Sequence, residues 1–118
     1  DRSPSRGLGD VYKRQGDYGG SWNTVVGATT INLYQWYFGC VTFNSTTGWK
    51  LYLDGVEDGS SSDTLTFYGE DPGDCDLGAY YDNNWLYGRI GLSLVYNRAL
   101  DAGEISTLFN SVRGRFGI

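Results

Sequence analysis

The chain has 118 residues, enough for one small domain that buries a core with a thin margin. Its formal net charge is −5 and it contains no histidine; this excludes His-based acid–base chemistry, the Ser-His-Asp triad and His-containing zinc sites, and the acidic surface repels phosphate backbones, which excludes nucleic acid as a partner. The 18 Gly, 10 Tyr, 2 Pro and absent Met fit an all-β chain with many tight turns, and no apolar run is long enough to insert in a membrane.

Residues 1–15 differ from the rest, with Arg2, Arg6, Lys13 and Arg14 outnumbering Asp1 and Asp10. The run from Asp10 to Gln15 (DVYKRQ) resembles a translated transposon end of the kind used in DNA library preparation. Residues 1–15 are accordingly expected to be a non-native or disordered tail, and 16–118 a partial domain of a longer parent chain. From Gly16 to Gly27 the sequence suggests a remnant strand around Trp22, Val25 and Val26. Thr29 to Tyr34 reads as a short extended run.

Trp36 to Phe43 has the aromatic and β-branched composition of a strand. Asn44 to Gly48 is a turn cluster, and its Asn44-Ser45-Thr46 also matches a glycosylation sequon. Trp49 to Leu53 is a second strand with Trp49, Leu51 and Leu53 on one face, so the two segments predict an antiparallel hairpin. Asp54-Gly55 is a tight-turn dipeptide that ends it. Ser60 to Ser62 reads as a polar loop and Asp63 to Tyr68 as a strand. The acidic loop Glu70 to Asp76 follows, then a strand candidate from Leu77 to Tyr81 and the turn Asp82-Asn83-Asn84. Arg89 to Tyr96 alternates best, with Ile90, Leu92, Leu94 and Tyr96 on one face. The one predicted helix starts at Asp101, with Glu104 placed to complete a capping box and Leu100, Ile105, Leu108 and Phe109 forming an apolar stripe.

Two groups of residues carry candidate chemistry. Asp71, Asp74 and Asp76 offer carboxylate oxygens suited to calcium, the one cofactor the sequence suggests, although they lack EF-hand spacing. A solvated surface loop accounts for the same residues. Trp85, Tyr81, Asp82, Asn83 and Asn84 combine aromatic faces with amide and carboxylate groups, the pairing that suits sugar rings. Turn chemistry and sheet packing account for these as well. Trp36, Asp54, Gly55, Tyr96 and Arg98 read as structural, with Arg98 expected to pair with a carboxylate or carbonyl at the strand–helix corner. Cys40 and Cys75 are too few for a zinc site; they would form one disulfide in an exported protein or remain thiols otherwise, and their spacing does not decide.

The order Trp36, Tyr52-Leu53-Asp54-Gly55, Leu77-Gly78, Gly88-Arg89-Ile90, Tyr96-Asn97-Arg98-Ala99-Leu100 and Glu104-Ile105 resembles the C-terminal part of LamG-like jelly-roll domains of the concanavalin A-like lectin/glucanase superfamily. The resemblance covers Thr30 to Phe109 and implies an antiparallel β-sandwich with one short C-terminal helix. It also implies a non-catalytic module that binds glycan or protein, with or without calcium, at a cell surface, in the extracellular space or on a virion, among other domains of its parent. A structural or adhesion domain of a virion fibre or surface protein is the alternative. A glycoside hydrolase needs two suitably spaced carboxyl groups, and the Glu-x-Asp-x-x-Glu pattern of glucanases on this fold is absent.

Overall fold

The computed structural model describes residues 15–16, 22–23, 25–64, 77–80 and 84–118. Within them an antiparallel three-stranded sheet is ordered β3-β4-β5, with β3 Gly39–Asn44, β4 Gly48–Leu53 and β5 Val56–Ser61. Two short antiparallel pairs form separate sheets: β1 Gln15–Gly16 with β2 Trp22–Asn23, and β6 Ala79–Tyr80 with β7 Asn84–Trp85. Helix α1, Ala102–Val112, closes the element order with a 3-10 turn at Arg113–Arg115.

Each connection of the sheet is set by local chemistry. Asn44 Oδ1 accepts hydrogen bonds from the Thr46 N–H at 2.8 Å and the Thr47 N–H at 3.4 Å, folding the β3–β4 loop onto itself. The loop closes at Gly48 with φ +86°, the left-handed position that three-residue hairpin loops reserve for glycine. Between β4 and β5, Asp54 (φ +50°) and Gly55 (φ +82°) are both left-handed, the signature of a type I′ two-residue hairpin. Asp54 also reaches across the sheet. Its Oδ1 accepts from the Phe38 N–H and its own N–H donates to the Phe38 carbonyl, both at 2.8 Å, so the turn residue anchors the entry to β3.

The β4–β5 register pairs Leu51 with Gly59 but Tyr52 with Glu57, leaving Asp58 as the extra residue of a β-bulge. The bulge aims Asp58 outward. Its carboxylate accepts from the Thr29 N–H at 3.1 Å and from the Thr29 hydroxyl, and its carbonyl accepts from the Ala28 N–H at 2.9 Å. Residues 25–29 are thereby laid along the outer edge of β5, where an open strand edge would invite association.

Strand β4 is buried on both faces. Register places Val41 beside Leu51 and Phe43 beside Trp49. Trp49, 3% exposed, and Leu51 pack with Val25 on that face, and the Phe43 and Trp49 rings lie 4.4 Å apart. On the opposite face Tyr52 packs with Leu100 and Ile105, flanked by Phe38, Cys40 and Leu108. Helix α1 covers this second face and buries Ile105 and Phe109 as the apolar stripe requires.

The start of α1 is locked as expected. Asp101 Oδ1 accepts from the Glu104 N–H at 2.8 Å, and Glu104 Oε2 accepts from the Asp101 N–H at 3.0 Å, a complete capping box. Arg98 grips the same carboxylate with two parallel bonds of 2.8 and 2.7 Å. The Arg98 hydrogen bond, with the Asp101 N–H second, holds the Glu104 pKa down at about 2. A carboxyl with a lowered folded pKa stabilises the fold above its ordinary value of 4.5, and that contribution is lost as pH falls through about 2. Melting temperature is therefore expected to decline between pH 4.5 and 2, and Arg98→Ala to flatten the decline when both proteins are followed by circular dichroism.

The structure departs from the sequence expectations in four segments. Ser60 and Ser61 belong to β5 rather than to a loop, because an edge strand needs ladder hydrogen bonds and not apolar side chains. Asp63 and Thr64 are not strand, and the remainder of that expected strand, 65–68, lies outside the described residues. Thr29 to Tyr34 bends and turns instead of extending, with Tyr34 at φ +61°. Arg89 to Tyr96 carries no strand ladder among the described residues, and Ile90, Leu92, Leu94 and Tyr96 are exposed. Alternation marks which face is apolar; it does not supply the neighbouring strand.

Candidate functional site

The β6–β7 pair carries Trp85, an exposed member of the expected ligand-binding residues. Gly78, at φ +74°, accepts a 2.7 Å hydrogen bond from the Leu86 N–H and closes the base of the pair. Above it Ala79 pairs with Trp85 and Tyr80 with Asn84. Trp85 is 64% exposed, and Leu86 and Tyr87 continue the exposed apolar run. A large aromatic left in water on a paired strand is an open platform. Asn84 lies in β7, at the end of the expected turn. Tyr81, Asp82 and Asn83, which join the two strands, lie outside the described residues, as do Asp71, Asp74, Asp76 and Cys75. Among the described residues no group of three or more His, Cys, Asp or Glu side chains is placed to hold a metal.

The residues expected to be structural fall into place unevenly. Asp54 and Gly55 form the turn that holds Phe38, and Arg98 locks the helix corner. Trp36 is half-buried, with its ring 4.9 Å from that of Phe116. Tyr96 is exposed. The Cys40 thiol sits half-buried under α1, and burial pushes its pKa up, which keeps it protonated and weakly reactive.

A second feature went unforeseen in the sequence. A cleft of about 260 Å³ opens between the β3–β4 hairpin and the start of α1, lined by Thr42, Lys50 and Tyr52 on the sheet side and by Leu100 and Asp101 opposite. Its walls come from segments some fifty residues apart, so only the packing of α1 on the sheet creates it.

A family model of the concanavalin A-like lectin/glucanases superfamily, of laminin G type, matches residues 7–106. The chain belongs to this superfamily. Its fold class is accordingly all-β, an antiparallel jelly-roll sandwich with one short C-terminal helix. The crystal structure of an S-layer domain-containing protein from Clostridium thermocellum is similar to this concanavalin A-like domain, with 28% sequence identity and a TM-score of 0.57 over 80% of this chain. The alignment covers 48% of that structure, so the chain spans about half its length. No curated protein matches the sequence. Domains of the superfamily are commonly non-catalytic binding or adhesion modules, although it also includes glycoside hydrolases. No helix among the described residues is long and apolar enough to cross a membrane.

Proposed function

We propose that this concanavalin A-like domain is a non-catalytic recognition module of the cell surface or extracellular space, and that it holds a glycan against Trp85. The exposure of Trp85 on a paired strand carries the reading: an indole face offers a sugar ring its apolar platform, and Asp82, Asn83 and Asn84 adjoin it in sequence with hydrogen-bonding groups. Calcium held by oxygen ligands from Asp71, Asp74 and Asp76 would assist that binding. A non-catalytic role is supported by the occupation of the described carboxylates. Asp54, Asp58, Asp101 and Glu104 are committed to backbone groups, to Thr29 or to Arg98, and Glu57 lies 3.4 Å from Lys50, which leaves no poised acid–base pair among them.

The test is a glycan array probed with and without calcium. Trp85→Ala is expected to weaken the best hit by about 2 kcal/mol or more, roughly thirtyfold, as truncation of a central aromatic contact does. Because Trp85 is exposed, the same change is expected to move stability by no more than about 0.5 kcal/mol. An array hit that Trp85→Ala leaves unchanged would sink the assignment. The S-layer domain-containing neighbour favours a second reading, a structural or adhesion domain in a surface array, which predicts an empty array and concentration-dependent self-association.

A further inference from the structure

We propose that Asn44 is a covalent modification site, the acceptor of an asparagine-linked oligosaccharide when the chain is exported. The inference rests on the cell-surface or extracellular reading above and adds to it a mark at the tip of the β3–β4 hairpin.

The motif is specific within this chain. Asn44 is followed by Ser45 and Thr46, and no other asparagine of the sequence has a Ser or Thr two residues on. The residue between is not proline, which would bar the motif. Transfer to such a site uses two groups: the asparagine amide nitrogen, which is modified, and the hydroxyl two residues later, which the transferase reads. The fold leaves both in reach. Residues 44–47 are exposed, and burial resumes only at Gly48 and Trp49. Asn44 Oδ1 accepts from the Thr46 N–H at 2.8 Å and the Thr47 N–H at 3.4 Å. Asn44 Nδ2 and the Thr46 hydroxyl engage no group among the described residues. The half of the amide that holds the turn is therefore not the half that reacts.

The donor is an oligosaccharide carried on a polyprenyl diphosphate in the export membrane. Nδ2 forms a bond to the anomeric carbon of the first sugar and gives up one proton. The bond from that carbon to the diphosphate oxygen breaks, and its electron pair leaves with the diphosphate. The Asn44 carbonyl oxygen is untouched, so the modified residue retains the acceptor for both turn hydrogen bonds. Position suits the product as well. Asn44 is the last residue of β3, and β3 is an edge of its sheet, with β4 on one side and no strand on the other among the described residues. A bulky, solubilising group there meets water rather than a packed neighbour, and it adds cover at the end of an open edge.

The experiment expresses the full chain behind a cleavable export signal in a eukaryotic cell line. Intact mass is read on chain recovered from both lysate and medium, before and after treatment with peptide-N-glycosidase, which cuts the linkage at Nδ2 and leaves aspartate. The parent is expected to be heavier by one oligosaccharide, to return to the bare chain mass on treatment, and then to show aspartate at position 44 in its peptide map. Asn44→Asp and Thr46→Ala are expected to lose the whole mass shift, and Thr46→Ser to retain it. Asn44→Asp keeps an oxygen for both turn hydrogen bonds, so its loss of the shift does not report unfolding. A parent found only at the bare chain mass, or a shift that survives in Asn44→Asp or Thr46→Ala, would overturn the proposal. The glycan array for Trp85 is run on unmodified chain from a bacterial cytosol, so the two assignments fail separately.

Discussion

Replacing Ile105 with alanine is expected to destabilise the domain by about 2–5 kcal/mol, the range for truncating a fully buried aliphatic side chain. Ile105 is 0% exposed, the most buried large side chain described, and it joins α1 to Tyr52 and Leu100 on the covered face of the sheet. Phe38, Cys40 and Leu108 pack around the same cluster, so few atoms are free to collapse into the space left behind. Small domains have about 5–15 kcal/mol in total, so the loss would take a large share of the stability. Urea denaturation followed by far-UV circular dichroism measures it directly. A change under about 1 kcal/mol would mean that α1 is not seated on β4 as described, and the cleft wall at Leu100 and Asp101 would go with it.

Gly48→Ala is expected to cost a similar amount for a different reason. At φ +86° an L-residue pays about 1–2 kcal/mol of local strain. The added Cβ would also run into the Ser61 carbonyl oxygen and lie 2.9 Å from the Ser62 carbonyl carbon, backbone atoms that cannot rotate away. Forced overpacking of this kind adds about 1–3 kcal/mol, for a combined loss of about 2–5 kcal/mol. Gly114→Ala is the matched control, since a Cβ there meets nothing within 4 Å; its effect should stay within about 0.5 kcal/mol. Equal urea midpoints for the two variants would contradict the described β3–β4 loop and its contact with the end of β5.

What was legible in the sequence was local. The Asp54-Gly55 turn and the Asp101–Glu104 capping box are each made by residues adjacent or three apart, and both stand as expected. The β3–β4 hairpin was legible for the same reason, since turn residues separate two β-branched and aromatic runs. Strand β5 was hidden because Val56-Glu57-Asp58-Gly59-Ser60-Ser61 has no apolar alternation; it forms on the exposed edge of β4 and bends at Asp58. The opposite error arose at Ile90, Leu92, Leu94 and Tyr96, where alternation is strong but no ladder is present among the described residues. Asp54 was read as a turn former, and nothing local announced that its carboxylate would hold the Phe38 N–H.

The candidate sites divide along the same line. Trp85 could be picked out as an aromatic beside a polar turn, but whether such a ring packs or protrudes depends on what covers it, and its 64% exposure is a tertiary property. The cleft left no sequence signal at all. Thr42, Tyr52 and Asp101 meet only because the strand register turns two hydroxyls toward a helix that follows much later in the chain.

The most direct test of the recognition role is to follow the indole N–H resonances of the ¹⁵N-labelled chain while titrating the strongest array hit. The account predicts that the Trp85 signal shifts and saturates with binding, while the signal of Trp49, sealed in the core at 3% exposure, stays in place. A glycan that binds without moving Trp85 would contradict it.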